Sequence, residues 1–436
     1  MNGLLFDCSR LLEPLGYYRR LIAFMAEWGM DTLVLHFADD YGCALRLPGF
    51  EELAMPGAFT SDELQELIGF ARDRGIEVIP EIEAFGHTRY ITDHPRYRHL
   101  YAGRWTRNLR FNAIDPLHPE THRLMRRLIA VVAEAFPSRY LHLGCDEVNM
   151  EDYCRQKGLA VDAVWTRYVN GLIELAHKAG KTPMIWADHV AGKEEIARRL
   201  RKDVVLVDWR YDPDIEDDVI PRLKQAGFRD LVAAPSVACW RHRFLPTAEA
   251  LENTARMALY AARHDILGVI TTVWCPWRYL QNAMYYGIAY SARAAAAGGR
   301  PDPEEFNRDF ARRVFGTDLT PALAAFLADW PELAIDRILA QKIARRRPAF
   351  TCEEIGRLRA VNRLGRRVLR AVEGYVPRAN PDIWGGMVLA ACCAWLCSEG
   401  MLLRLLSSPA RTRKDRYNRL LAGARREMDA EWDRTR

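Results

Sequence analysis

The sequence predicts an α/β chain built as a (β/α)8 TIM barrel with a C-terminal helical region. Three observations predict it. Short Leu-, Ile- and Val-rich runs alternate with amphipathic helical stretches eight times over about 300 residues. The runs are nearly continuously apolar, as parallel strands buried on both faces are. The connections leaving the C-terminal ends of the second, third and fourth runs are long, and that is the end where barrel enzymes build their sites.

In chain order, strands are expected at 3–7, 32–37, 76–82, 140–145, 182–186, 204–209, 231–234 and 268–274. Helices are expected at 14–28, 61–74, 119–136, 162–179 and 247–263. The stretch 61–74 shows the usual end signals. Ser61 opens it with Asp62 and Glu63 in the first turn, and Arg72, Arg74 and Gly75 close it. The long connections are 38–60, 84–118 and 146–161. Beyond residue 300 the strand-like runs stop, and Phe306, Phe310, Val314 and Phe315 recur at helical spacing. The chain therefore divides into a catalytic barrel, 1–300, and a helical domain, 301–436, expected to support the barrel or to form a homodimer contact.

Composition narrows the partners. Of the 436 residues 49% are hydrophobic, enough for a large core, and 62 Lys+Arg nearly balance 57 Asp+Glu. The basic clusters at 345–347 and 411–414 lie in Arg-rich helical sequence, so no nucleic-acid partner is expected. No GxGxxG or GxxxxGK[ST] follows any strand, which removes the usual nucleotide signatures. The opening MNGLLFDCSR lacks the basic leader and apolar segment of a signal peptide, and no uninterrupted apolar run reaches about 18 residues, so no membrane span is expected. Ten cysteines form no CxxC pair and no zinc-type spacing, which reads as a reduced, cytoplasmic protein.

The polar residues at predicted strand ends converge on one mouth. They are Asp7 and Arg10; His36, Asp39 and Asp40; Glu81, Glu83 and His87; Asp146 and Glu147; Asp188 and His189. Trp186, Trp209, Trp240, Trp274 and Trp277 come at or soon after the last strands, and a ring of indoles suits the apolar faces of a sugar. His142, inside its strand, reads as structural. Within LHLGCDEVNM, Asp146 and Glu147 set two like charges side by side at the end of an apolar run, a cost that calls for a use.

Here four segments carry a family resemblance. LHLGCDEV at 141–148 resembles the His-x-Gly-x-Asp-Glu signature of the glycoside hydrolase family 20 β-N-acetylhexosaminidases. FDCSR at 6–10 is similar to that family's Asp-x-Ser-Arg, and HFADDYG at 36–42 to its His-Leu-Thr-Asp-Asp-Gln-Gly. The segment 60–87, ending IPEIEAFGH, resembles its Ile-Pro-Glu-Ile-Asp-x-x-Gly-His. The branch it most resembles is the short, hexosaminidase D-like one.

The resemblance implies an exo-acting, retaining hydrolase of carbohydrates with a terminal β-linked GalNAc or GlcNAc. The substrate's own 2-acetamido oxygen attacks and forms an oxazolinium intermediate. It implies Glu147 as general acid and base, its proton kept available by crowding and partial burial, and Asp146 as stabiliser of the acetamido group. Arg10 would grip a sugar hydroxyl, Asp39 and Asp40 would bond Arg10 or His87, and His87 would orient the acid. Trp186, Trp209 and Trp274 would wall the acetamide pocket. The chain departs from the family where a Tyr-x-Asp is replaced by APSVACWRHR, 234–243, and where Trp-x-Glu becomes Trp274-Cys275-Pro276. Tyr211, Asp212 and Arg278 are candidates to fill those roles.

Two other readings compete. A metal-dependent barrel hydrolase would draw on His36, Asp39, His87, Asp146 and His189. No HxH follows the first strand and no lysine suits a bridged dinuclear centre, so neither metal nor cofactor is expected. A barrel that binds sugar without turning it over is the other.

Overall fold

Eight parallel strands close on themselves: β1 (Asn2–Asp7), β2 (Thr32–Asp39), β3 (Glu77–Ile82), β4 (Tyr140–His142), β5 (Thr182–Trp186), β6 (Val205–Trp209), β7 (Leu231–Ala234) and β8 (Gly268–Val273). Each pairs with the next, and β1 pairs with both β2 and β8. The structure, a computed structural model, describes residues 1–103, 113–239, 244–276, 279–334, 350–405 and 411–435. These form two compact units, one of residues 1–210, 214–235 and 257–272, the other of 211–213, 236–256 and 273–436.

In the first unit the strands are apolar because both faces are covered; all eight residues of β2 are buried. Helices Leu15–Glu27, Ser61–Arg72, Pro119–Ala135 and Val161–Lys178 follow the first four strands. The second of these starts at Ser61 as expected and is capped by Thr60. The Thr60 hydroxyl accepts the Glu63 N–H, and the Glu63 carboxylate accepts the Thr60 N–H at 2.8 Å. Part of the predicted 38–60 connection is ordered as two short strands, Gly42–Leu45 and Ala54–Phe59. The first of them turns back antiparallel onto β2.

Two departures from regular strand geometry prepare the site. The β2–β3 register shifts between His36 and Ala38, and this bulge brings His36 and Asp39 onto one side, where three residues of regular strand would put them on opposite faces. β4 stops at His142, three residues short of the predicted 145, because Gly144 (φ 64°) and Cys145 (φ 74°) enter the left-handed region. A Cβ added at Gly144 would overlap the Glu83 carboxylate. Gly144→Ala should therefore cost more than about 2 kcal/mol of stability. Thermal melts would test this, and a melting curve identical to wild type would refute it.

The second unit is mainly helical. Its helices include Met284–Ala297, Pro303–Phe315, Pro321–Asp329, Cys352–Ala371, Pro381–Leu405 and Arg411–Thr435. Phe306, Phe310, Phe315, Phe326, Trp330 and Trp384 form an aromatic core of edge-on, tilted and stacked pairs, and the Trp330 indole N–H donates to Met387 O at 2.9 Å. Pro381–Leu405 is the one helix, among the described residues, long and apolar enough to cross a membrane. Most of that span is buried in its own unit. Its Glu399 takes hydrogen bonds from Asn362 (2.9 Å) and Arg366 (3.1 Å), as in a core helix.

Candidate active site

The strand register builds the site from below. His36 stands beside Glu81, and Glu81 beside His142, across β2, β3 and β4. Glu81 lies 3.0 Å from His36 Nδ1 and accepts the Trp186 indole N–H at 2.8 Å. Burial alone would push both histidines toward neutrality. For His36 it is outweighed by Glu81 and Asp39, which raise the imidazole to about 10. His142 has no such surplus; burial takes it down to about 4, and its Nδ1 accepts the Gly144 N–H at 3.1 Å.

Above this layer Arg10 is gripped on both sides. Its Nη1 donates to Asp7 at 2.9 Å and its Nη2 to Asp39 at 2.6 Å. Despite burial, Arg10 and His36 hold the Asp39 carboxyl well below its usual range. The planar fork spans two carboxylates that a lysine would not. Asp40, next in sequence, serves a different partner, bonding His87 Nδ1 at 3.1 Å. Asp39 thus bonds the arginine and lies 3.9 Å from His87 Nδ1, while Asp40 makes the closer contact to the histidine.

His87 Nε2 faces both members of the acidic pair, Glu147 at 3.3 Å and Asp146 at 3.8 Å. Neighbouring residues of a strand would point apart. Here Glu147 itself is left-handed (φ 48°), and the turn swings both carboxylates to one nitrogen. Burial disfavours charge on His87, but Asp146, Asp40 and Glu147 outweigh it and raise the ring well above its ordinary value. Asp146 is pushed up to about 7, chiefly by burial, with Asp188 and Glu147 adding and His87 opposing. Glu83, fully buried and facing Asp146, is raised well above the carboxylate range for the same two reasons. The Glu147 side chain is 32% exposed, so it presents its oxygens to an incoming group.

Three of these clusters bring ligand atoms close enough for a metal: His36 with Glu81 and Glu83, Asp39 with Asp40 and His87, and His87 with Asp146 and Glu147. Metal ligation uses a neutral imidazole. Without a cation between them, the neighbouring carboxylates outweigh burial and raise both His36 and His87 above the ordinary imidazole value.

The tryptophans divide. Trp186 is 1% exposed, with its ring 4.6 Å from that of His142 and its N–H donated to Glu81. Trp209 is half-buried at the end of β6. Trp274 belongs to the second unit, where its indole donates to the Tyr211 hydroxyl at 2.7 Å. Trp240, Trp277 and Arg278 lie outside the described residues. Sequence reasoning passed over Tyr41, 65% exposed with its ring 5.7 Å from the Arg10 guanidinium; its place directly after Asp39–Asp40 was the available signal.

Residues 2–261 match the glycosyl hydrolase family 20 catalytic domain. The chain is similar to a beta-hexosaminidase of Vibrio furnissii, 25% identical over 361 residues, which cover 68% of this chain and 56% of that protein. It spans about half the length of the curated relatives it matches. Among solved structures it resembles a GH20 exo beta-N-acetylglucosaminidase from Vibrio harveyi, with a TM-score of 0.54 and 22% identity over 67% of this chain and 54% of that one. It also resembles a Flavobacterium johnsoniae chitobiase, with a TM-score of 0.54 and 18% identity over 97% and 74%. At these identities the structural likeness speaks for the fold.

Proposed function

The chain belongs to glycosyl hydrolase family 20, and from that premise we propose that it is an exo-acting, retaining β-N-acetylhexosaminidase that releases terminal β-linked GalNAc or GlcNAc by substrate-assisted catalysis. One observation carries this reading: Asp146 and Glu147 both reach His87 Nε2, at 3.8 and 3.3 Å. Adjacent carboxylates carried on one turn and tied to one imidazole are placed to act side by side, one on the leaving oxygen and one on the acetamido group. They suit a reaction in which the sugar supplies its own nucleophile.

In this mechanism Glu147, exposed to the mouth, protonates the leaving oxygen as the acetamido oxygen attacks the anomeric carbon. Asp146, behind it, accepts the acetamido N–H and balances the positive charge that grows on the oxazolinium ring. Glu147, now a carboxylate, takes a proton from the water that attacks the anomeric carbon and breaks its bond to the acetamido oxygen, and the two successive inversions retain the configuration. His87, charged and tied to Asp40, fixes the pair and compensates their repulsion. Arg10, immobilised by Asp7 and Asp39, binds sugar hydroxyls, and Trp209 offers an apolar face.

A panel of 4-nitrophenyl β-glycosides, with and without the 2-acetamido group, tests the reading. Substrates lacking that group should be cleaved at least about 100-fold more slowly, since no nucleophile replaces it. Equal rates would overturn substrate assistance. No turnover of any N-acetylated substrate would leave a sugar-binding barrel.

A further inference from the structure

The turn that carries the acids makes little use of the sheet. Its amides end on side chains: Gly144 N–H on His142 Nδ1 (3.1 Å), Cys145 N–H on Glu83 Oε2 (3.3 Å), Glu147 N–H on Asp188 Oδ2 (3.0 Å) and Val148 N–H on His189 Nε2 (3.0 Å). The last two acceptors are neighbours in the short helix Asp188–Ala191 that follows β5, 41 residues along the chain from the amides they hold. A left-handed residue such as Glu147 persists only where its surroundings over-determine it.

We propose that Asp188 and His189 are positioning residues for the general acid, a two-pronged clamp on consecutive amides that holds the Glu147 carboxylate against His87 and the substrate. Neither touches the reacting atoms. The inference rests on the hydrolase reading above and extends it to residues for which no role has been assigned. His189 must act as an acceptor through a neutral Nε2, and its surroundings keep it so: burial lowers its pKa, against the neighbouring Asp188, and its ring packs 5.2 Å from that of Trp165. Asp188 has a second influence, because its charge faces Asp146. Asp146 is also faced by His87, Glu83 and Glu81 from β3 and its following loop and by Glu147 from its own turn; Asp188 itself is faced by His189 and Glu147. Asp188 is the member of this set that couples the clamp to the charge state of the acetamido stabiliser.

The test uses the full chain and four variants. Asp188→Ala and His189→Leu remove an acceptor; Asp188→Asn and His189→Gln keep an oxygen that can accept. The two deletions should lower kcat about 30- to 100-fold with KM within about threefold, the size of effect expected from sub-ångström misplacement of an acid. His189→Gln should recover most of the loss. Asp188→Asn should stay within about tenfold, while the rising limb of its kcat/KM profile moves to lower pH, because Asp146 has lost a neighbouring anion. Amide hydrogen exchange at Glu147 and Val148, read independently of turnover, should speed up in the deletion variants alone. Folded deletion variants with wild-type kcat and wild-type exchange would overturn the clamp. So would a deletion loss that glutamine fails to recover while exchange stays slow. An inactive wild type would instead remove the hydrolase reading, and the exchange result would still judge the clamp.

Discussion

Glu147→Gln lowers kcat by about two to four orders of magnitude on a disaccharide and leaves KM within a few-fold, the expected result for loss of a general acid whose neighbours stay in place. The substitution is nearly isosteric, and the Glu147 N–H remains on Asp188. The loss should shrink as the leaving group becomes less dependent on protonation, being largest for an alkyl or sugar alcohol and smallest for 2,4-dinitrophenolate, which departs as a stable anion. Steady-state rates over such a series decide the matter. A uniform loss across all leaving groups, or one below tenfold on a disaccharide, would remove Glu147 from the acid role.

Asp146→Asn is the second large effect, and it separates activity from stability. An amide cannot balance the charge on the oxazolinium ring, so kcat should fall about 100-fold or more. The pH profile follows from the Asp146 pKa of about 7. The carboxylate is needed as an anion, so wild-type kcat/KM should climb as pH rises through about 7, and the residual activity of the variant should lack that limb. Stability runs the other way. The folded pKa lies above the unfolded value, so the folded state holds a proton that the unfolded chain has already released; stability is fully present below the unfolded value and is lost as pH rises through about 7. Asparagine never ionises. The variant should therefore melt above wild type at pH 8 and lose that advantage at pH 4, and a variant that melts lower at pH 8 would contradict the burial account of Asp146.

Most of the barrel was legible because its signals are local. Buried parallel strands announce themselves as apolar runs, and seven of the eight expected strands match the observed ones to within about two residues. The fourth ended early because nothing in LHLGC distinguishes a strand residue from a left-handed one except the glycine itself. The helix start at Ser61 was legible from its acidic first turn, while the cap is supplied by the residue before it, Thr60. The paired strands at 42–45 and 54–59 were hidden by their brevity.

At the site, Arg10, Asp39, His87 and the acidic pair were legible as motif residues. Their division of labour was not, because spacing along the chain says nothing about partners across a barrel. Trp186 shows the limit clearly. A tryptophan at a strand end reads alike whatever its indole N–H bonds, and the partner here, Glu81, stands 105 residues away.

Glu83 and Gly144 claim the same few ångströms of space. Protein engineers who randomise 144 alone will therefore harvest dead clones. Trimming the carboxylate first opens room for a methyl, yet the left-handed backbone still taxes any newcomer. Substitutions at these two sites should therefore be tolerated in one order, 83 before 144, with the reverse blocked at its first step.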